Sequence, residues 1–260
     1  MLAQERYAAI LRMIRETNIV KIGDIAKKLK VSNETARRDL ETLQDQKLLK
    51  RVHGGAVLVD PLIYTGPQSI PLPKAEVSYD EKAAIGAEAA KTVRNGETIF
   101  LDIGTTTLQI AKNLRNKKDL TVLTTSLDII NELAGTPVTL IILGGKLIND
   151  DLHIASPFTE EIFARYYVDK SFISCGGIAQ NGDITDYSDI ALKRSVVREH
   201  SNRMILVADS GKFGKKSFVK VCDLDMVDAV ITDTNLRPDF RESMAEKGIE
   251  VVFADVKQQD

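Results

Sequence analysis

The stretch FLDIGTTTLQIAKNL, residues 100–114, gathers side chains and backbone suited to holding an anion: Asp102, Gly104, Thr105, Thr106 and Thr107. Glycine lets the backbone approach a ligand, and threonine hydroxyls donate hydrogen bonds. The first N–H groups of a following helix have no partner within the helix. Small and hydroxyl residues of the same kind recur downstream as Thr125 with Ser126, Gly144 with Gly145, Gly176, and Asp209 with Lys212 in DSGKFG. Lys82 lies one helical stretch before the turn. A phosphate monoester carries nearly two negative charges at neutral pH, so Lys82 and Lys212 are the expected counter-charges. Asp102 suits either the hydroxyls of a sugar or the stabilisation of its own loop.

A second chemistry occupies the N-terminal part. In SNETARRDLETL, Ser32 is placed to cap a helix whose first half carries Asn33, Thr35, Arg37 and Arg38. Arginine pairs with guanine and asparagine with adenine in the major groove. Arg37 and Arg38 stand about 100° apart on a helix, so one reads bases while the other holds a phosphate. The following KLLKRVHGGAVLV reads as a β-hairpin wing, with Lys50, Arg51, His53 and Gly54 near the flanking DNA backbone. Lys21, Lys27 and Lys28 are further candidates for phosphate contact.

Catalytic chemistry is less well served. Moving a proton beside a carbonyl needs a positioned base and an oxyanion stabiliser. Asp102, Asp183, Asp186 and Asp209 can accept hydrogen bonds, but no two of them declare themselves an acid and a base, so no catalytic residue is assigned. The two cysteines, Cys175 and Cys222, are far apart and lack a histidine at metal spacing. They argue against a zinc site and a disulfide framework, and for a reducing cytoplasm. No metal and no cofactor is expected beyond the bound ligand.

These residues need elements to position them. Helical spacing of apolar residues marks three short helices: Tyr7, Ile10, Leu11 and Ile14, then Ile22, Ile25, Ala26 and Leu29, then Ala36, Leu40 and Leu43. Only a few residues around Lys30 and Val31 separate the second and third, the spacing of a helix-turn-helix. Four of the seven prolines fall in VDPLIYTGPQSIPLP, which reads as a linker. Beyond it, ETIFLD, LTVLTT, VTLIILG, KSFISCG, RMILVAD, DAVITD and IEVVFA read as strands. Helical stretches such as YDEKAAIGAEAAKTV, TTLQIAKNL and SDIALKRSVVREH lie between most of them. That alternation predicts a Rossmann-like α/β domain with a largely parallel sheet and its ligand at the strand C-termini. The expected organisation is residues 1–58 as a winged helix-turn-helix, 59–75 as a proline-rich linker and 76–260 as an α/β effector and oligomerisation domain.

Charge divides along the same line. Residues 1–58 carry 12 Lys/Arg against 7 Asp/Glu, and the remainder 23 against 30. An anionic partner is expected for the first part only. No apolar run approaches the roughly 20 residues that cross a bilayer, so no membrane partner is expected.

VSNETARRDLETL followed by LLKRVHGGA resembles the N-terminal signature of DeoR-family bacterial transcription regulators, and DIGTTT, LGG and DSGKFG recur in that order in the family's C-terminal domain. The resemblance implies a winged helix joined to a sugar-phosphate-isomerase-like domain that senses a phosphorylated metabolite. The expected protein is a cytoplasmic repressor of a sugar or polyol catabolic operon. It would bind double-stranded operator DNA as a homo-oligomer, a dimer or tetramer, and be released or modulated by a phosphorylated sugar. EKAAIGAEAAKTVRNGE also resembles ribose-phosphate isomerases, in which such a lysine lies near the phosphate. The alternative is therefore a sugar-phosphate isomerase or transferase with an appended DNA-binding segment. Against it, KSFISCGGIAQNGDITDY lacks the Lys-Gly-Gly-Gly loop of those isomerases. Within the family pattern, Ala36 stands where Ile or Val is common, Thr125 where Asn is frequent, Ser156 where Gly is usual and Gly211 where Ser or Thr is.

Overall fold

The computed structural model describes residues 6–14 except 8 and 12, then 19–45, 49–52, 55–57, 78–148, 152–187 and 192–256. The chain forms two compact units, Met1–Val77 and Ser78–Asp260. The segment expected as a linker, residues 59–75, lies outside the described residues.

In the first unit, helical residues between Arg6 and Ile14 are followed by β1 (Ile19–Lys21), α1 (Ile22–Leu29), α2 (Asn33–Asp45), β2 (Lys50–Val52) and β3 (Gly55–Val57). Lys30 ends α1 in the left-handed conformation, φ 53°, and the chain turns into α2 within three residues. Ile10, Ile14, Ile25, Ala36, Leu40 and Leu43 are fully buried together. They are the apolar positions at helical spacing in the sequence. The hairpin β2–β3 forms in antiparallel register, with Arg51 opposite Ala56. A third strand was not foreseen: β1 joins the other edge of β3, so the order is β1-β3-β2. Gly55 makes that edge possible, since a Cβ there would lie 2.1 Å from the Val20 carbonyl oxygen.

The second unit is built on a seven-stranded parallel sheet: β4 (Thr98–Leu101), β5 (Thr121–Thr124), β6 (Thr139–Ile142), β9 (Val168–Ile173), β12 (Ser201–Val207), β14 (Ala229–Asp233) and β15 (Glu250–Ala254). Each of the seven strand segments expected from the sequence is in it. Side chains alternate faces. Ile99, Leu101, Val122, Ile205 and Val207 meet α3 (Tyr79–Lys91), α4 (Thr105–Leu114) and α5 (Leu127–Leu133). Phe100, Leu123, Met204 and Leu206 face the opposite core, with α6 (Thr159–Phe163), α7 (Arg194–Glu199) and α8 (Pro238–Glu246). A parallel sheet covered on both faces has apolar residues on both, which is why its strands read as apolar runs.

Two smaller pieces escaped the sequence reading. β7 (Lys146–Ile148) and β8 (His153–Ala155) form an antiparallel pair. β10 (Gly177–Ile178), β11 (Asp183–Asp186) and β13 (Val219–Asp223) form a three-stranded sheet. The helix expected over SDIALKRSVVREH is shorter than its pattern: α7 begins at Arg194, with Lys193 as its N-cap. Residues 188–191 lie outside the described residues.

The sheet order is β15-β14-β12-β9-β4-β5-β6. From β4 the chain winds through β5 to β6. It then returns to β9 on the other side of β4 and winds outward through β12, β14 and β15. The direction reverses between β4 and β9, and ligands of open α/β sheets sit at such a reversal, outside the strand C-termini.

Candidate nucleic-acid interface and ligand crevice

The helix-turn-helix presents its expected polar residues. Asn33, Arg37 and Arg38 are exposed on α2, while Ala36, Asp39, Leu40 and Leu43 form its buried face. Ser32 caps the helix: its Oγ accepts from the Thr35 backbone N–H at 3.0 Å, and the two hydroxyls lie 2.9 Å apart. A cap of this kind contributes about 1 kcal/mol to helix stability. Ser32 and Thr35 thus hold the end of the reading helix, a structural duty beyond the DNA contact expected of them. The arginines differ. Arg38 Nε is 3.5 Å from Glu34 across one exposed turn. Arg37 makes no hydrogen bond or ion pair with any described residue. Lys21, Lys27, Lys28 and Lys30 are exposed around α1. Lys50 and Arg51 are the first residues of β2; His53 and Gly54 lie outside the described residues.

Asp39 was not singled out from the sequence. It is 3 % exposed and takes a bidentate bond from Arg6, Nε to Oδ2 at 2.7 Å and Nη2 to Oδ1 at 2.8 Å. Hydrogen bonding to Asp39 raises the Arg6 pKa above its ordinary value. The pair ties the N-terminal helical residues to α2 in a fixed orientation. Its signal was legible, because Asp39 falls on the apolar face set by Ala36, Leu40 and Leu43.

In the second unit the turn after β4 has the expected form. Gly104 is the N-cap of α4. A Cβ at Gly104 would lie 2.8 Å from Ser174 Oγ, so only glycine lets the loops after β4 and β9 approach this closely. The hydroxyls of the loop divide their tasks. Thr107 Oγ1 donates to the Asp102 carbonyl at 2.7 Å and lies 2.9 Å from the Gly104 carbonyl, so it braces the turn. Thr105, half-buried, and Thr106, buried, begin the helix, with hydroxyls that bond to no described residue.

Asp102 is 2 % exposed and does not stand alone. Its Oδ2 accepts from Arg194 Nη2 at 2.6 Å and from the Ser174 N–H at 3.0 Å. Arg194, the first residue of α7, is 2 % exposed. Burial opposes its charge, and the attraction of Asp102 and Asp186 outweighs burial, leaving the guanidinium pKa raised. Arg194 was missed because LKRSVV reads as an ordinary amphipathic helix, and only the tertiary fold brings it to Asp102. Its neighbour Lys193 reaches outward to Glu160 at 3.3 Å.

Lys82 is buried, at 4 % exposure, in α3. A Cβ at Gly86 would lie 2.4 Å from Gln109 Cβ, so α3 and α4 pack at near-backbone contact. Lys117, just beyond α4, donates to the carbonyl of Val93, just beyond α3, at 2.7 Å. The two helices therefore end together and run the same way. Counted back one turn from Gly86 and Gln109, Lys82 on α3 and Thr105 on α4 fall at matching positions of the two helices.

The remaining candidates separate. Gly176 follows β9, and a Cβ there would lie 2.5 Å from Ser217 Oγ. Asp209 is buried at the end of β12, and Lys212 follows in a 3₁₀ turn whose Ser210 N–H donates to Asp233 Oδ2 at 2.6 Å. Asp233, fully buried, was another residue the sequence did not point to. Lys212 Nζ lies 6.0 Å from the Tyr187 ring centroid and, with Arg194, acts on the Cys175 thiol. Burial pushes that thiol up to about 12 despite the two cations. Thr125 and Ser126 end β5 but are covered by β8: the Ile154 N–H donates to the Thr125 carbonyl at 2.8 Å, and Ser126 caps α5. Gly144 and Gly145 are exposed at the end of the edge strand β6. A Cβ on Gly145 would lie 2.3 Å from the Ala155 carbonyl oxygen, so that glycine serves the β7–β8 pair. Five adjacent strands span about 19 Å, longer than any monosaccharide phosphate. The loops after β4 and β9 are central to this row, flanked by Thr125 on one side and Lys212 on the other. Gly144 and Gly145 are at its far end.

Chemically the crevice joins a helix N-terminus, two threonine hydroxyls and a carboxylate held by an arginine, with Lys82 buried on the neighbouring helix α3. Asp183 is paired with Lys220 at 2.8 Å on the small sheet. Among the described residues, no group of three or more His, Cys, Asp and Glu side chains is placed to hold a metal ion, and no helix is long and apolar enough to cross a membrane.

Comparison with known proteins agrees with both halves. Residues 6–61 match the model of the DeoR-like helix-turn-helix domain, and residues 77–234 that of the DeoR C terminal sensor domain. The chain is 34% identical over 254 residues to the HTH-type transcriptional regulator YulB of Bacillus subtilis, covering 96% of each. It is 33% identical to the transcriptional repressor AccR of Agrobacterium fabrum, over 90% of this chain and 91% of that one. It is 31% identical to the glycerol-3-phosphate regulon repressor of Escherichia coli, over 88% and 90%.

Proposed function

The chain belongs to the DeoR family of helix-turn-helix transcriptional regulators, and from that premise we propose that it represses an operon for the use of a sugar or polyol and is released by a phosphorylated sugar bound between β4 and β9. It is a DNA-binding regulator and not an enzyme, as its relatives' names agree. The observation that carries the ligand reading is the loop Asp102–Thr107 at the reversal of the sheet. There Thr105 and Thr106 bond to no described residue, and Lys82 stands one helix away in register. The name of the Escherichia coli relative supports a polyol phosphate as the ligand class.

Operator DNA with two-fold symmetry requires at least two copies, so the working form is a homo-oligomer, a dimer or tetramer, in a reducing cytoplasm. α2 reads the major groove through Arg37 and Asn33, Arg38 and the lysines of α1 hold phosphates, and β2–β3 flanks them. The effector acts by binding the DNA-free arrangement more tightly than the DNA-bound one. By linkage, operator DNA weakens the effector by the same factor.

The test combines Thr105→Ala with Lys82→Ala. Operator DNA is first selected from a random pool by the full chain. A panel of sugar phosphates is then titrated into the complex. The double variant is expected to bind DNA as the wild type does and to need at least about tenfold more effector for release, as for the loss of two contacts to a charged group. Release at the unchanged concentration places the effector elsewhere.

A further inference from the structure

We propose that the buried Asp102–Arg194 pair reads a hydroxyl group of the effector, with Asp102 Oδ1 as the acceptor and Arg194 as the residue that positions it. The proposal rests on the β4–β9 crevice being the effector site, and it assigns to one residue pair the recognition of the part of a phosphorylated sugar other than its phosphate.

The bonds to Asp102 are one-sided. Arg194 Nη2 at 2.6 Å and the Ser174 N–H at 3.0 Å donate to Oδ2, and Ser174 Oγ, which donates to the Ile103 carbonyl at 2.5 Å, lies 3.4 Å from the same oxygen. Oδ1 accepts nothing from any described residue, although an ionised carboxylate oxygen has lone pairs to fill and Asp102 is 2 % exposed. The guanidinium is incomplete in the same way. Nη2 also lies 3.4 Å from the Ser174 carbonyl and Nη1 3.5 Å from the Leu192 carbonyl, while the buried Nε has no partner among the described residues. One ion pair thus keeps an unused acceptor and an unused donor. The pair cannot swing away to solvent, since its side chains are 1 % and 3 % exposed.

The position selects the ligand. Asp102 lies two residues before Gly104, where the N–H groups of α4 begin and draw an anion. A carboxylate oxygen there repels a second anionic oxygen, so the ligand atom facing Oδ1 must donate a proton. A ligand hydroxyl has such a proton, which suits the unused carboxylate oxygen. Phosphate alone, or a phosphate on a bare alkyl chain, offers the helix its anion and leaves Asp102 unbonded. Sites built to bond a hydroxyl reject analogues lacking one, because the buried polar group is then stranded.

Calorimetric titration of the full chain tests this. The probes are sn-glycerol 3-phosphate, fructose 1-phosphate and glucose 6-phosphate, with n-propyl phosphate and inorganic phosphate as hydroxyl-free comparators and free glycerol, fructose and glucose as phosphate-free ones. The tightest polyol phosphate should bind wild type about 100-fold or more tightly than n-propyl phosphate. The double variant Asp102→Leu/Arg194→Met, which removes both charges together, should bring that ratio close to one. Arg194→Lys should give an intermediate ratio. A wild-type ratio near one overturns the proposal, as does a double variant that keeps the wild-type ratio. If the double variant does not fold, the wild-type ratio alone decides. If no phosphate binds wild type, the phosphate reading of the crevice has failed. The free polyols then decide: binding that the double variant loses supports the hydroxyl reader, and no binding overturns it too.

Discussion

Individual residues in this chain divide between reading and bracing. On α2, Arg38 shares its charge with Glu34, whereas Arg37 is exposed and uncommitted among the described residues. Arg37→Ala is therefore expected to remove about 1–3 kcal/mol of base discrimination, a five- to 150-fold loss of specific operator affinity in a gel-shift titration. Arg38→Ala should weaken specific and non-specific DNA alike. In the second unit the cysteines behave as core atoms. Burial raises Cys175 to about 12 and Cys222 to about 11, from an ordinary value near 9. Between pH 9 and 12 the unfolded thiols have lost protons that the folded ones retain, so stability falls as pH rises through that window. Thermal melts from pH 8 to 11 should show a declining Tm, and Cys175→Ala should decline less steeply. An equal decline in both would remove the thiol from the account.

At the scale of elements, close approach decides where Lys82 and Thr105 stand. The α3–α4 contact is set by Gly86, where a Cβ would meet the Gln109 Cβ at 2.4 Å and the Ile110 N at 2.9 Å. These include backbone and near-backbone atoms, so Gly86→Val must push the helices apart and carry Lys82 away from Thr105. Overpacking of this kind costs about 1–3 kcal/mol. The variant is expected to melt lower and to bind the effector more weakly, with operator affinity unchanged in the absence of effector. A variant with a lowered Tm and an undiminished effector response would show that Lys82 does not depend on this contact. The strand-to-helix turn after β4 is legible in DIGTTT because glycine and threonine have local reasons to be there. β1 was not legible: three residues, IVK, carry too little pattern, and their antiparallel partners Gly55–Val57 lie more than thirty positions away. β7, β8 and β10 are short for the same reason.

At the scale of the whole molecule, charge separates the two tasks. The first 58 residues hold an excess of five basic residues and the remainder an excess of seven acidic ones. DNA affinity should fall steeply with salt, log K dropping by about 0.9 per log unit of salt for each phosphate neutralised. Replacing Lys27 and Lys28 together by alanine should lower that slope by about two and weaken all sequences alike. A slope unchanged in the double variant would take α1 off the phosphate backbone.

Residue types and spacing by themselves determined the helix-turn-helix with its cap and arginines, the seven core strands, the glycine-threonine turn after β4 and the family resemblance. Each of these is a local pattern, written within a dozen residues by capping chemistry, helical period or strand apolarity. Only the tertiary structure decided which candidates meet. It placed Gly144 and Gly145 at the far edge strand, turned Thr107 inward to brace its own loop, and brought Arg194 against Asp102 across 92 positions of sequence. Strand order decides that meeting, because the reversal between β4 and β9 makes neighbours of loops that are distant along the chain. A buried charge pair leaves no periodic mark, since its members become partners only when the sheet closes around them.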